Sequence, residues 1–235
     1  MPGRVVTLPN GETVTYGMAG RGVTSVHISI TTRCNRHCPE CSYGMSCLDR
    51  DRHDHPFEYL KDAGRRLELP KTPEVRVTIT GGEPSLHQQF QELAPCLRSI
   101  LNANSIGIES NGYGFKKFPE AFLHFDQVHA SPYDGTFGGP SNLDDISFMR
   151  NFFTEHGRPD DFISGPALIH WPRNSWGSRP CFRGDAGTVI YFDGKLYGCC
   201  AASGQPNKVG CDITPTWRDD VVNLPLPCKG CPFAT

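Results

Sequence analysis

Residues 34–41 read Cys34-Asn35-Arg36-His37-Cys38-Pro39-Glu40-Cys41, three cysteines on one short loop directly after the strand-like run 27–31. Three thiolates on one such loop can bind three corners of an iron-sulfur cubane and leave the fourth iron open to a ligand from outside. The alternative is a structural zinc site, but zinc prefers a closed tetrahedron, and within the loop only His37 offers a fourth donor.

Downstream, Thr80-Gly81-Gly82-Glu83-Pro84 follows a second apolar run, 75–79. The paired glycines allow the backbone to approach a ligand closely, and the Glu83 carboxylate can accept hydrogen bonds from an ammonium group. An ordinary strand-to-helix turn with Pro84 at the first helical position is the plainer reading of the same five residues. Strand-like runs recur near 25–31, 75–80, 105–110, 127–131 and 162–169, with helical patterns between them. One helix is expected over 86–103, where Leu86, Phe90, Leu93, Leu97 and Ile100 share a face and Pro95 kinks it or shifts its start; Cys96 is read as a buried core thiol on that face. Another is expected from Ser141, capped by the serine hydroxyl with Asp144 three residues on, burying Ile146, Met149, Phe152 and Phe153 and ending at His156-Gly157. The alternation predicts an α/β fold with a parallel sheet and helices outside, either a doubly wound sheet or a full or partial (β/α) barrel. A short N-terminal hairpin over 5–18 is expected around Asn10-Gly11.

The order and placement of these two motifs resemble the radical S-adenosylmethionine (SAM) superfamily, in which a three-cysteine loop follows strand one and a Gly-Gly-Glu-Pro segment follows strand two. The resemblance covers about residues 24–170 and implies a partial (β/α)6-type radical SAM barrel, although only five parallel strands are legible where the family normally has six. By that resemblance Cys34, Cys38 and Cys41 hold a 4Fe-4S cluster whose open iron is chelated by SAM, and Gly81, Gly82 and Glu83 meet the SAM amino group. Reductive cleavage of SAM would give a 5′-deoxyadenosyl radical that abstracts hydrogen from substrate. The family usually has an aromatic or aliphatic residue before the third cysteine; Glu40 stands there, which bears on the adenine contact and not on the cluster. Glu109-Ser110-Asn111-Gly112 resembles the segment contacting the ribose and methionine of SAM, and Ser131 the polar position ending the next strand, though each also suits a turn. In a barrel these residues would share the rim at the C-terminal strand ends.

A second cysteine group begins at Cys181. Cys181, the Gly194-x4-Cys199 spacing and Cys228-Lys229-Gly230-Cys231 resemble the twitch module, the shortened SPASM extension, which holds one auxiliary 4Fe-4S cluster. The hairpin expected over 188–197, with Asp193-Gly194 in its middle, would bring Cys181 and Cys199 together, with Cys228 and Cys231 completing the set. A zinc ribbon satisfies the same four thiolates. Cys200 could exchange with Cys199, Cys211 matches no motif, and Cys47 has no assigned role. The expected organisation is an N-terminal extension over 1–23, a barrel over 24–175 and the auxiliary module over 176–235.

Composition narrows the partners. A net charge of -2 and a pI near 6.5 give no broad basic surface, so nucleic acid is not expected. No apolar signal region or run of about 18 apolar residues is present, which points to a cytoplasmic protein with no membrane partner. In that reducing compartment the 11 cysteines read as metal ligands rather than disulfides, and their odd number leaves a pairing scheme incomplete. Twitch-type relatives, among them a 2-deoxy-scyllo-inosamine dehydrogenase and the enzyme forming the cyclic pyranopterin precursor of molybdenum cofactor, act on small molecules. The expectation is therefore an oxidation of a small-molecule substrate, with the auxiliary cluster accepting an electron and a carrier such as flavodoxin or ferredoxin as donor. Redox-neutral rearrangement, epimerisation or peptide modification is the enzymatic alternative, and a zinc-binding interaction module the non-enzymatic one. Only 33 residues precede Cys34, fewer than a leader-peptide recognition domain needs. Candidate substrate contacts are Tyr133, Asp134, His170, Arg173 and Asn174.

Overall fold

A computed structural model describes residues 4–7, 13–16, 23, 25–38, 41, 52–68, 75–135, 139–164, 188–197 and 212–215. Two short strands, β1 (Arg4–Thr7) and β2 (Thr13–Tyr16), pair antiparallel as the N-terminal hairpin.

The main sheet grows from strands whose side chains alternate strictly in character. In β3 (Ser25–Thr31), Val26, Ile28 and Ile30 point one way and His27, Ser29 and Thr31 the other; in β4 (Arg76–Gly81), Val77 and Ile79 alternate with Thr78 and Thr80. The same pattern runs through β5 (Ser105–Ser110) and β6 (Gln127–Ala130), where Ile106, Ile108 and Val128 oppose Glu109 and His129. Parallel strands covered on both faces ordinarily read as unbroken apolar runs, so the alternation marks one face of this sheet as lining something polar.

The apolar face joins one core with Leu60, Ala63 and Leu67 of α1 (Phe57–Leu67). The buried residues of α1 fall at positions 60, 63, 64 and 67, one stripe of a helix with 3.6 residues per turn. Gly64 lets α1 lie against α3 (Leu97–Leu101), since a Cβ there would stand 2.8 Å from the Ile100 carbonyl oxygen. A helix α4 (Pro119–Phe122) and a longer α5 (Leu143–Glu155) complete the crossovers to β6 and β7 (Phe162–Ser164). Phe90, Phe115, Phe122, Phe125, Phe153 and Phe162 form a chain of ring contacts in this layer.

Three expectations are corrected. The helix expected over 86–103 is a 3-10 turn (Pro84–Leu86) followed by α2 (Phe90–Leu93) and α3, because Pro95 has no N–H to donate and so interrupts the ladder of helical hydrogen bonds. Cys96 falls in that break and is exposed rather than buried. The residue at the start of α5 is Asn142, whose side chain is used elsewhere and makes no capping hydrogen bond, while the Ser141 hydroxyl one residue earlier accepts from the Leu143 N–H at 3.4 Å.

The seven strands lie in the order β7-β6-β5-β4-β3-β8-β9, with β3 to β8 all parallel. The sixth parallel strand is β8 (Thr188–Phe192), which pairs along the free edge of β3 from Ser25↔Thr188 to Ile28↔Tyr191. The hairpin expected over 188–197 is present as β8 and β9 (Lys195–Tyr197), turning at Asp193 and Gly194, both with positive φ. It extends the main sheet. The cysteines expected to flank it lie outside the described residues.

Candidate active site

The rim at the C-terminal ends of β3 to β6 is assembled from backbone upward. Where β4 ends, a Cβ on Gly81 would stand 2.3 Å from the Thr31 carbonyl oxygen, and one on Gly82 would stand 2.1 Å from that of Arg33. Those distances are far inside contact, so only glycine admits the root of the cysteine loop here. Two hydrogen bonds fasten the approach, from the Gly82 N–H to the Thr31 carbonyl at 2.9 Å and from the Glu83 N–H to the Arg33 carbonyl at 2.7 Å. The glycines thus seat the cysteine loop itself.

Glu83 is fully buried. Its Oε1 accepts from the Ser85 N–H at 3.1 Å, the Ser85 hydroxyl at 2.6 Å and the Ser110 hydroxyl at 2.9 Å, and its Oε2 accepts from the Asn111 N–H at 2.6 Å. Burial pushes its pKa up, and these four donors oppose the rise. The carboxylate is a brace tying the end of β4 to the end of β5. Asn111 continues the network, its side-chain amide donating to Asn35 Oδ1 at 2.9 Å and standing 3.9 Å from Cys34 Sγ. Asn142, buried at the start of α5, donates to the carbonyls of Asn111 at 2.6 Å and Ser131 at 2.9 Å and accepts from the Tyr133 N–H at 2.7 Å.

Cys34, Cys38 and Cys41 are all partly exposed, and the Cys41 N–H donates to the Cys38 carbonyl at 3.2 Å. Burial pushes the Cys34 thiol up to about 11; a hydrogen bond from the Arg36 backbone opposes this, and Glu83, Cys41 and Cys38 add to it. A thiol so placed becomes a thiolate only beside positive charge, as a bound metal provides. Among the described residues the three sulfurs do not all lie within 4.8 Å of one another. Tetrahedral zinc with bonds of about 2.3 Å needs sulfurs roughly 3.8 Å apart. Rotation about the Cα–Cβ bonds changes these separations, so it is the three-thiolate count of the loop, with one corner left open, that suits a four-iron cluster.

Beside the loop, Arg36 is buried at 4 % exposure with its guanidinium carbon 3.9 Å from the centre of the Tyr133 ring. Its Nε and Nη1 make no hydrogen bond among the described residues. A buried guanidinium with unused donors is a place for an anionic acceptor such as a carboxylate. Tyr133 brings its hydroxyl to 3.6 Å from Cys38 Sγ, and burial, then the neighbouring Cys38, raises the pKa of that phenol.

The polar face of the sheet runs up to this rim. Glu109 stands 3.8 Å from His27 Nδ1 and accepts from the Thr80 hydroxyl at 3.4 Å, while burial lowers the pKa of His129 on the next strand despite Glu109 nearby. Ser131 is held through its N–H on the Ser110 carbonyl at 2.9 Å, and Asp134 is exposed. The structure therefore gathers Cys34, Cys38, Gly81, Gly82, Glu83, Asn111, Ser131 and Tyr133 at one rim. His170, Arg173, Asn174, Cys47, Cys181, Cys199, Cys200, Cys211, Cys228 and Cys231 lie outside the described residues, as does Glu40. Arg36 and Ser110 lie inside the motifs read from sequence without being singled out there, and Asn142 adjoins Ser141, a residue type equally suited to a helix cap.

With this rim in view, the family comparison is direct: residues 28–133 match the radical SAM superfamily. The chain is thus similar to that superfamily over the stretch that builds the rim. Over 128 residues it is 35% identical to a probable GTP 3',8-cyclase of Methanosarcina acetivorans, covering 52% of this chain and 38% of that one. Over 120 residues it is 30% identical to the 7,8-dihydro-6-hydroxymethylpterin dimethyltransferase of Methanocaldococcus jannaschii, covering 46% of this chain and 23% of the relative. The matched stretch is less than half the length of either relative. The fold of the chain matches that of BtrN in complex with AdoMet and 2-DOIA, with a TM-score of 0.58 at 12% identity over 86% of this chain and 82% of that one. It also matches Streptococcus suis SuiB bound to precursor peptide SuiA, with a TM-score of 0.54 at 12% identity over 91% and 70%. Both sequence relatives are enzymes by name. Among the described residues no helix is long and apolar enough to cross a membrane.

Proposed function

We propose that this chain is a radical SAM enzyme that abstracts hydrogen from a small-molecule substrate and, with an auxiliary cluster, completes an oxidation. The observation that supports this most is the cysteine loop, with three partly exposed thiols seated on the Gly81-Gly82 turn beside donors of Arg36 that make no hydrogen bond among the described residues.

In this reading Cys34, Cys38 and Cys41 hold three irons of a 4Fe-4S cluster, and SAM occupies the fourth iron. When bound, that pair supplies one-electron cleavage of the sulfonium bond and hydrogen-atom abstraction from substrate. The chain's own residues bind and orient. Arg36 receives an anionic group, the segment 81–83 and Asn111 border the cofactor, and Glu109 with Ser131 lies along it. Because the Glu83 carboxylate already accepts four hydrogen bonds, its part is to hold that segment still. Tyr133 and Asp134 stand on the loop after β6, positioned for substrate, with His170, Arg173 and Asn174 proposed as further contacts. Cys181, Cys199, Cys228 and Cys231 are proposed to hold the auxiliary 4Fe-4S cluster, and a cytoplasmic flavodoxin or ferredoxin to supply the electron.

A small-molecule substrate is supported by the names of the sequence relatives, one acting on GTP and one on a pterin. The test is anaerobic purification and reconstitution, followed by incubation of reduced protein with SAM and deuterated candidate substrates. The expected result is about eight irons per chain, 5′-deoxyadenosine that carries deuterium, and an oxidised product. Replacing Cys34, Cys38 and Cys41 by alanine is expected to halve the iron and abolish 5′-deoxyadenosine formation. Cleavage of SAM that survived the triple replacement would falsify the assignment, and a product at the substrate's own oxidation level would favour rearrangement or epimerisation over oxidation.

A further inference from the structure

His53, Asp54 and His55 precede α1, on the segment that returns from the cysteine loop. Asp54 forms a single β-bridge with Thr31, and three contacts anchor it: the Thr31 hydroxyl at 2.6 Å, the Gln88 N–H at 3.0 Å and Arg33 Nε at 3.2 Å. The backbone on either side is fixed as well. The Thr32 N–H donates to the His53 carbonyl at 2.9 Å and the His55 N–H to the Ile30 carbonyl at 2.9 Å. In extended backbone, residues two apart share a side, so pinning Asp54 towards Thr31 turns both imidazoles the other way.

They meet the tip of the β8–β9 hairpin. Asp193 Oδ1 lies 3.6 Å from His55 Nε2 and 3.9 Å from His53 Nε2, and the three ligand atoms all lie within 4.8 Å of one another. His55 is 5 % exposed, yet its Nε2 makes no hydrogen bond among the described residues. A buried ring nitrogen left unbonded beside a carboxylate and a second imidazole is costly unless something else bonds it. The ring is also locked in place, stacked on Tyr59 at 4.1 Å between centroids and flanked edge-on by His53 and Phe192. Behind it, the Gln89 N–H donates to His87 Nδ1 at 3.1 Å, which leaves the His87 Nε2–H to donate to the His55 carbonyl at 3.1 Å.

We infer that His53, His55 and Asp193 form a binding site for a divalent first-row transition ion of the zinc class, which clamps the hairpin tip to the return of the cysteine loop. Two imidazoles and a carboxylate are a ligand set that zinc and ferrous iron both accept with positions left open. Bonds of about 2.0–2.1 Å to a tetrahedral ion set ligand atoms roughly 3.3 Å apart, so the observed 3.6 and 3.9 Å close by small side-chain rotations. His53 and Asp193 are about half exposed, and the remaining coordination positions therefore face water. The site is separate from Cys34, Cys38 and Cys41 and uses none of their ligands.

The test uses the full chain with its clusters assembled anaerobically, titrated with zinc and, separately, with cobalt(II). One tight equivalent beyond the iron is expected, with a first shell of nitrogen and oxygen only by X-ray absorption and no thiolate-to-cobalt charge-transfer band. Asp193→Asn and His53→Ala are expected to weaken binding more than about 100-fold, since even outer-shell partners cost about 10–100-fold. Asparagine tolerates the positive φ at position 193, so the first variant keeps the hairpin. Absence of an extra equivalent, sulfur in the metal's first shell, or unchanged affinity in Asp193→Asn would each overturn the site. None of these readouts depends on SAM cleavage, so the site and the proposed reaction stand or fall separately.

Discussion

On the apolar face of the sheet, Val26, Ile28 and Ile30 of β3 join Val77 and Ile79 of β4 and the stripe of α1, and packing alone holds them. At the ends of the same two strands, Thr31, Gly81 and Glu83 are just as deep but are held by hydrogen bonds and direct backbone contact. A packed apolar layer tolerates reshaping, because neighbours relax around a lost methylene. A buried polar network has no such slack, since each lost partner strands a donor with no water to replace it. The rim is accordingly rigid where chemistry needs a fixed geometry, and the packed layer supplies stability that does not depend on exact shape.

The largest expected contrast is between Glu83→Ala and Phe122→Ala. Each is expected to cost about 3–5 kcal/mol in chemical denaturation, the first by orphaning donors of Ser85, Ser110 and Asn111 and the second by leaving a cavity. They differ in iron: folded Glu83→Ala is expected to lose the loop cluster, whereas folded Phe122→Ala retains it. Glu83→Gln, which keeps two oxygen-and-nitrogen positions of the same shape, is expected to recover part of the stability.

A closer comparison uses two glycines. Gly82→Ala pushes a methyl into the Arg33 carbonyl and Gly64→Ala pushes one into the Ile100 carbonyl, each costing about 1–3 kcal/mol by overpacking. Iron per folded chain should fall only in Gly82→Ala; equal retention in both variants would break the distinction between rim and packed layer.

The difference between the two regions also explains what could be read from sequence. Alternation in 25–31, 75–80, 105–110 and 127–131 located four strands, since burial of one face imposes a period of two on neighbouring residues. The cysteine loop and the Gly-Gly-Glu turn were legible as local motifs with local spacing. The partner of each was not. Nothing near Glu83 announces that Ser110 and Asn111 will fill its carboxylate, and nothing near Thr188 that β8 will pair with β3. The break at Pro95 and the exposed Cys96 show a local rule, the cost of proline in a helix, overriding an apolar periodicity that runs straight through it.

A smaller effect is expected at Tyr133. Replacement by phenylalanine should leave folding unchanged and remove a hydroxyl from 3.6 Å of Cys38 Sγ. With a cluster on that sulfur, loss of a hydrogen bond of about 0.5–1.5 kcal/mol lowers the one-electron potential by roughly 20–65 mV, measurable by redox titration followed by electron paramagnetic resonance. An unchanged potential would place the hydroxyl outside the influence of the cluster.

The smallest effect concerns pH. His129 is held neutral by burial, so its folded pKa lies below the ordinary 6.5. The unfolded chain then binds the proton more readily, and the stability this group contributes is present above 6.5 and lost as pH falls through the depressed value. His129→Asn is expected to flatten the decline in stability as pH falls below 6.5 relative to the parent chain, whereas a parallel decline in both would assign the acid sensitivity to other groups.

The pairing of β8 with β3 carries a consequence for the order of assembly. Strand β3 bears the cysteine loop, but one of its edges is covered only by a segment made some 160 residues later. On the ribosome that edge stays open until β8 has emerged, a template on which a neighbouring nascent chain could add its own strand. The crowding of acquaintances from adjacent ribosomes, rather than weakness of the finished molecule, is where expression of this protein should be most sensitive to temperature and to chaperone supply.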